Sequence, residues 1–162
     1  MTEAAMYPDV ARWLDRLLVE RFPRYSVRVY NTSNVTLSKF LFEKNLHRFF
    51  PLYQTFEIEV DITGVIKRDD WVGLAFVECK LKKINLRDLS QLLGYSRVAH
   101  PAISILLSPE GVSDSVDFLL NVHRRDDILY YDKSRFIRIA KWLKTKQDID
   151  YANLLPKGSQ LV

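Results

Sequence analysis

Two alternating runs fix the centre of this chain. In Phe56-Glu-Ile-Glu-Val-Asp-Ile-Thr-Gly64 apolar and polar residues trade places every second position, and Trp71-Val-Gly-Leu-Ala-Phe-Val-Glu-Cys-Lys80 is apolar until it ends in the same alternation at Glu78-Cys79-Lys80. An extended backbone sends alternate side chains to opposite faces, so each run reads as a strand with one buried side. The first predicts Phe56, Ile58, Val60 and Ile62 on one face, with Glu57, Glu59 and Asp61 on the other. The second predicts Glu78 and Lys80 on one face and Val77 and Cys79 opposite. Lys67-Arg-Asp-Asp70 reads as the turn of a hairpin that brings Asp61 close to Glu78 and Lys80. A third run, Ala102-Ile-Ser-Ile-Leu-Leu107, has no polar residue beyond Ser104 and predicts a central strand buried on both faces.

Helical patterns flank these strands. Residues 8–21 carry Pro8 near the start and apolar residues at Val10, Trp13, Leu14, Leu17 and Leu18, the spacing of an amphipathic helix. Tyr25–Tyr30 reads as a first strand, and residues 36–50, rich in aromatic and basic residues, as a helix or ordered excursion lining a DNA groove or a dimer contact. Asn85–Tyr95 predicts a helix, Ser113–Arg124 another, Ile128–Tyr131 a last strand and Arg135–Lys146 a final helix with Phe136, Ile139, Ala140 and Leu143 as its buried stripe. The sum is an α/β protein with a mixed central β-sheet flanked by α-helices. Residues 1–150 are expected to form one domain, and residues 151–162 a flexible C-terminal tail.

Composition narrows the function classes. The start of the chain lacks a basic-then-apolar leader and no apolar run approaches membrane-spanning length, so a soluble, cytoplasmic protein is expected. The single cysteine, Cys79, excludes an intrachain disulfide and a multi-cysteine zinc site, and reads as a small buried hydrophobe. The five glycines are far apart and form no phosphate loop, which disfavours a nucleotide cofactor. A formal charge of +4 is compatible with a polyanionic partner, and Lys80, Lys82, Lys83 and Arg87 cluster beside the proposed site.

Asp61, Glu78 and Lys80 bring together the groups that phosphodiester hydrolysis needs. Hard carboxylate oxygens suit Mg²⁺, which is usually held by one or two protein carboxylates, and a nearby ammonium adds a compact positive charge. The alternative is a solvated face whose cross-strand ion pairs contribute at most about 1 kcal/mol each.

The order Asp-x16-Glu-x-Lys, followed by a helix carrying Gln91 and Tyr95 as Gln-x3-Tyr, resembles the PD-(D/E)xK nuclease superfamily, in its RecB-like and Holliday-junction-resolvase-like branch. The resemblance spans about residues 1–130 in topology and departs from the named motif at Val60, where Pro would stand. It implies a restriction-endonuclease-like core and a Mg²⁺-dependent deoxyribonuclease, with Mn²⁺ able to substitute. Asp61 and Glu78 would hold the metal with the main-chain carbonyl of Cys79, Lys80 would position the nucleophile, and Gln91 would hydrogen-bond near Lys80 or the nucleophile. Glu3 is a further metal candidate by analogy with related first-helix glutamates; otherwise it is a favourable charge at a helix N-terminus. Lys82, Lys83, Arg87 and Tyr95 are the expected DNA contacts, Tyr95 being equally readable as a core aromatic. DNA is the implied partner, with specificity from DNA structure, a homodimer or a partner protein. The implied role is a structure-directed endonuclease in repair, recombination or restriction; the alternatives are a RecB-like exonuclease and a catalytically inactive DNA-binding or assembly subunit.

Overall fold

A computed structural model covering residues 1–162 places six strands in one mixed sheet of order β1-β2-β3-β4-β5-β6. A 3₁₀ turn at Glu3–Met6 runs into α1 (Tyr7–Arg21), and β1 (Ser26–Asn31) follows. α2 (Leu37–Glu43) and two 3₁₀ turns lead to β2 (Ile62–Arg68) and β3 (Trp71–Cys79), joined by the hairpin at Asp69-Asp70. Then come α3 (Leu86–Ala99), β4 (Ile103–Ser108), a short α4 (Asp114–Asp117), β5 (Arg138–Leu143) and β6 (Asp148–Ile149). β1, β2 and β3 pair antiparallel, β4 runs parallel to β3, β5 parallel to β4, and β6 closes the edge antiparallel.

Two apolar cores, one on each face, follow from the strand alternation. Leu74 and Phe76 of β3 and Leu106 of β4 pack with α2 and α3 through Phe40, Leu41, Leu89 and Leu92. Their neighbours Ala75, Val77, Ile105 and Leu107 pack on the other side with Val10, Trp13, Leu14 and Leu18 of α1. Every residue of β4 is buried, including Ser104 and Ser108, as its largely apolar run leads one to expect. Asn85 caps α3 by accepting from the Asp88 N–H, while Asp88 accepts from the Asn85 N–H, a reciprocal box that fixes where the helix starts.

Several expectations are corrected. Arg135–Lys146 does not form a helix: residues 138–143 are β5. Its apolar spacing serves both faces, with Ile137 and Ile139 in one core and Ala140 and Trp142 in the other, and pairing to β4 supplies the ladder. Ile128–Tyr131 is no strand, because Asp126–Leu129 is a 3₁₀ turn and only Tyr130 bridges to Phe136. The helix expected over Ser113–Arg124 passes after one turn into a π-helical stretch at Phe118–Val122. The excursion at 36–50 is α-helical over Leu37–Glu43 and 3₁₀ over His47–Phe49. The run 56–61 keeps its alternating burial but lies outside the sheet: Phe56, Ile58 and Val60 join the core beneath α2, whereas Ile62 joins the one beneath α1. The chain therefore crosses between faces at Asp61. The expected tail is packed as well, with Leu154, Leu155 and Leu161 buried and Leu155 bridged to Ile139. No helix is long and apolar enough to cross a membrane.

Candidate functional site

Asp61 is held at the crossing point by the backbone around it. The Thr32 N–H donates to the Asp61 carbonyl (2.9 Å), while the Thr32 hydroxyl bonds the Val60 carbonyl and pairs with Thr63 (2.8 Å). Both threonines are buried, so these bonds satisfy groups that would otherwise be costly to remove from water. One residue on, Ile62 pairs with Val77, and the same register carried outward sets Asp61 beside Glu78.

The carboxylate of Asp61 is fixed from two sides. Its Oδ1 accepts from the Tyr7 hydroxyl (2.8 Å) at the start of α1, and its Oδ2 accepts from the main-chain N–H of Cys79 (2.8 Å). Glu78 is 5% exposed. Its Oε1 accepts from Lys80 Nζ (3.2 Å), and its Oε2 is buried with no hydrogen-bond partner. Burial, and then the like charge of Asp61, push the Glu78 carboxyl up to about 7, with Lys80 pulling the other way. Burial would lower the Lys80 ammonium, yet the charge and hydrogen bond of Glu78 outweigh it and hold Lys80 above its ordinary value. Lys80 is thus a cation near neutral pH and not a free base. Burial, reinforced by Asp61 and Glu78, raises the Cys79 thiol well above its ordinary range, so no thiolate nucleophile is formed there.

Asp61, Glu78 and Lys80 are together, as the paired runs predict, and Cys79 joins them through its main-chain N–H. The other expected residues are arranged differently. Gln91 is exposed on α3 and donates to the Tyr95 hydroxyl (3.2 Å), making no hydrogen bond to Lys80. Glu3 lies on the 3₁₀ turn close enough for its charge to act on Tyr7, Cys79 and Lys80. It does not complete a ligand cluster, and no group of three His, Cys, Asp or Glu side chains is arranged to hold a metal ion. Lys82, Lys83 and Arg87 are exposed on the connection from β3 into the first turn of α3.

Sequence reasoning missed Tyr7. Its signal was present: Tyr7, Val10 and Leu14 fall on one i, i+3, i+7 stripe, and Tyr7 is the member with a hydroxyl to satisfy. Burial, then the bond to Asp61, raises that phenol far above its usual range, so it remains a donor. The residues present suit a hard divalent cation, since Glu78 Oε2 is a buried carboxylate oxygen without a partner, beside a second carboxylate. Comparisons of this chain with protein-family models, with curated proteins and with solved structures found no match.

Proposed function

We propose that this protein is a metal-dependent DNA nuclease that hydrolyses phosphodiester bonds. The observation that carries the reading is the unpartnered, buried Glu78 Oε2 beside Asp61 and Lys80. A structural ion pair has no need of a second carboxylate that raises its neighbour's proton affinity. The order of elements adds support: a helix, an antiparallel three-stranded unit, a helix and a parallel strand, with the acids where β2 begins and β3 ends.

In this reading Asp61 and Glu78 would hold Mg²⁺, with the main-chain carbonyl of Cys79 as the third ligand that the resemblance implies. The ion, when bound, would supply positive charge for the phosphoryl oxygens and ease deprotonation of the attacking water. Tyr7 and the Cys79 N–H keep the Asp61 carboxylate in one orientation. Deprotonation of Glu78 completes the anionic site, and the Lys80 ammonium then sits where it can bind the scissile phosphate or orient the attacking water. The exposed Lys82, Lys83 and Arg87 would meet the flanking backbone phosphates.

A labelled panel of DNA duplexes, single strands, flaps and four-way junctions, incubated with Mg²⁺ or Mn²⁺, tests this. Cleavage abolished in both Glu78→Gln and Lys80→Met is expected. A silent nuclease-fold subunit is the second reading, favoured by the fact that Asp61 and Lys80 already have protein partners. It predicts no cleavage of any substrate and no Mg²⁺-dependent rise in melting temperature, whereas a working site is stabilised by mass action.

A further inference from the structure

The excursion between β1 and β2 builds a surface that the hydrolytic residues do not use. Lys44 Nζ lies 4.7 Å from the ring centre of Tyr30, and the Arg48 guanidinium 4.8 Å from that of Phe49, which Lys67 also approaches at 5.5 Å. None of these three cations is in an ion pair with a carboxylate. They rest on aromatic faces rather than on carboxylates, so no acid competes with a phosphate for them. Beside them Phe42 is 58% exposed, its ring 4.9 Å from His47 and inclined by only 36°, and His47 in turn lies 5.3 Å from Tyr53. An exposed ring backed by a second ring, flanked by unpaired cations, offers a stacking platform within reach of phosphate charges.

We propose that this surface docks single-stranded DNA, with a base stacked on Phe42 and backbone phosphates on Lys44, Arg48 and Lys67. The inference deepens the nuclease reading, on which the choice of DNA rests. A duplex keeps its base faces covered by their neighbours, so a solvent-facing phenylalanine gains nothing from it, whereas an unpaired base can cover that ring. α2 also places the surface on the right side of the sheet: Phe40 and Leu41 pack against Leu74 and Phe76, and Glu78 is the next residue of β3 on that same face. The exposed Glu57 and Glu59, which follow the excursion, would repel a flat anionic bilayer, while a single strand can pass beside them.

Binding is read in EDTA by anisotropy of a labelled oligothymidylate, with a blunt duplex and phosphatidylserine vesicles as the other arms. The wild-type chain should bind the oligothymidylate more tightly than the duplex. Phe42→Ala should weaken it about tenfold, as expected for loss of one base stack, and Phe42→Trp should retain it. Arg48→Ala should lower the slope of log K against log salt by about 0.7. Unchanged melting temperatures show that the variants fold. Oligothymidylate affinity indifferent to Phe42, tighter binding of the duplex, or vesicle binding that Phe42→Ala abolishes would each overturn the proposal. Because no metal is present, failure of cleavage and failure of this site are read separately.

Discussion

Glu78 is the residue whose surroundings most change its chemistry. The folded chain keeps a proton on it up to about pH 7, whereas the unfolded chain releases that proton near the ordinary value of 4.5. The folded state therefore binds more protons across that window, and stability falls as pH rises from about 4.5 to about 7, then levels off. The loss is about 3 kcal/mol at most. Melting curves of the wild type should show this fall, and those of Glu78→Gln should lack it. On the proposed metal reading a divalent ion competes with the proton, so a Mg²⁺-dependent rise in melting temperature should grow as pH rises toward 7 and then level off. Tyr7 acts one step away. Tyr7→Phe leaves Asp61 without one of its two donors and should cost about 1 kcal/mol in denaturant titration. It should also weaken Mg²⁺ binding severalfold, whereas a purely structural tyrosine would leave the metal titration unmoved. The three charged residues were legible because the hairpin brings the start of β2 beside the end of β3, and Glu78 and Lys80 alternate with Cys79 there. Tyr7 was not, since its partner lies 54 residues away.

At the scale of elements, the spacing between α1 and the sheet is set by a residue with no side chain. A Cβ on Gly64 would lie 2.7 Å from Leu18 Cδ1 and 3.2 Å from Ala75 Cβ. Gly64→Ala should push α1 outward and cost about 1–3 kcal/mol, with part of the loss restored by Leu18→Ala in a double-mutant cycle. The helix carrying Gln91 depends instead on its cap. Asn85→Ala removes the acceptor of the Asp88 N–H and should cost about 1 kcal/mol by chemical denaturation. β5 teaches why the element type was misread. Phe136, Ile139, Ala140 and Leu143 are spaced as a helical stripe, yet the buried residues Ile137, Ile139, Ala140 and Trp142 divide between the two faces of the sheet. Periodicity does not separate these two cases; the parallel ladder to β4 does.

The whole molecule is closed by its C-terminal segment. Leu154, Leu155 and Leu161 are buried, the Trp13 indole N–H donates to Asp148 (3.0 Å), and Arg21 and Arg138 bond to the carbonyls of Val162 and Gln160. Leu155→Ala should therefore lower stability by about 2–5 kcal/mol, measured by thermal or chemical unfolding. An effect within experimental error would mean that the segment is a tail after all. The sequence by itself determined α1, β1, the hairpin of β2 and β3, the helix α3 and the fully buried β4, because alternation and helical spacing are written in neighbouring residues. It also placed Asp61, Glu78 and Lys80 together, for the same reason. Only the tertiary structure decided that the chain crosses faces at Asp61, that Tyr7 holds its carboxylate, and that residues 138–143 are a strand. It alone showed that the last residues belong to the core. Each of these depends on a partner far along the chain, and burial against a distant segment leaves no periodic mark on the residues that undergo it.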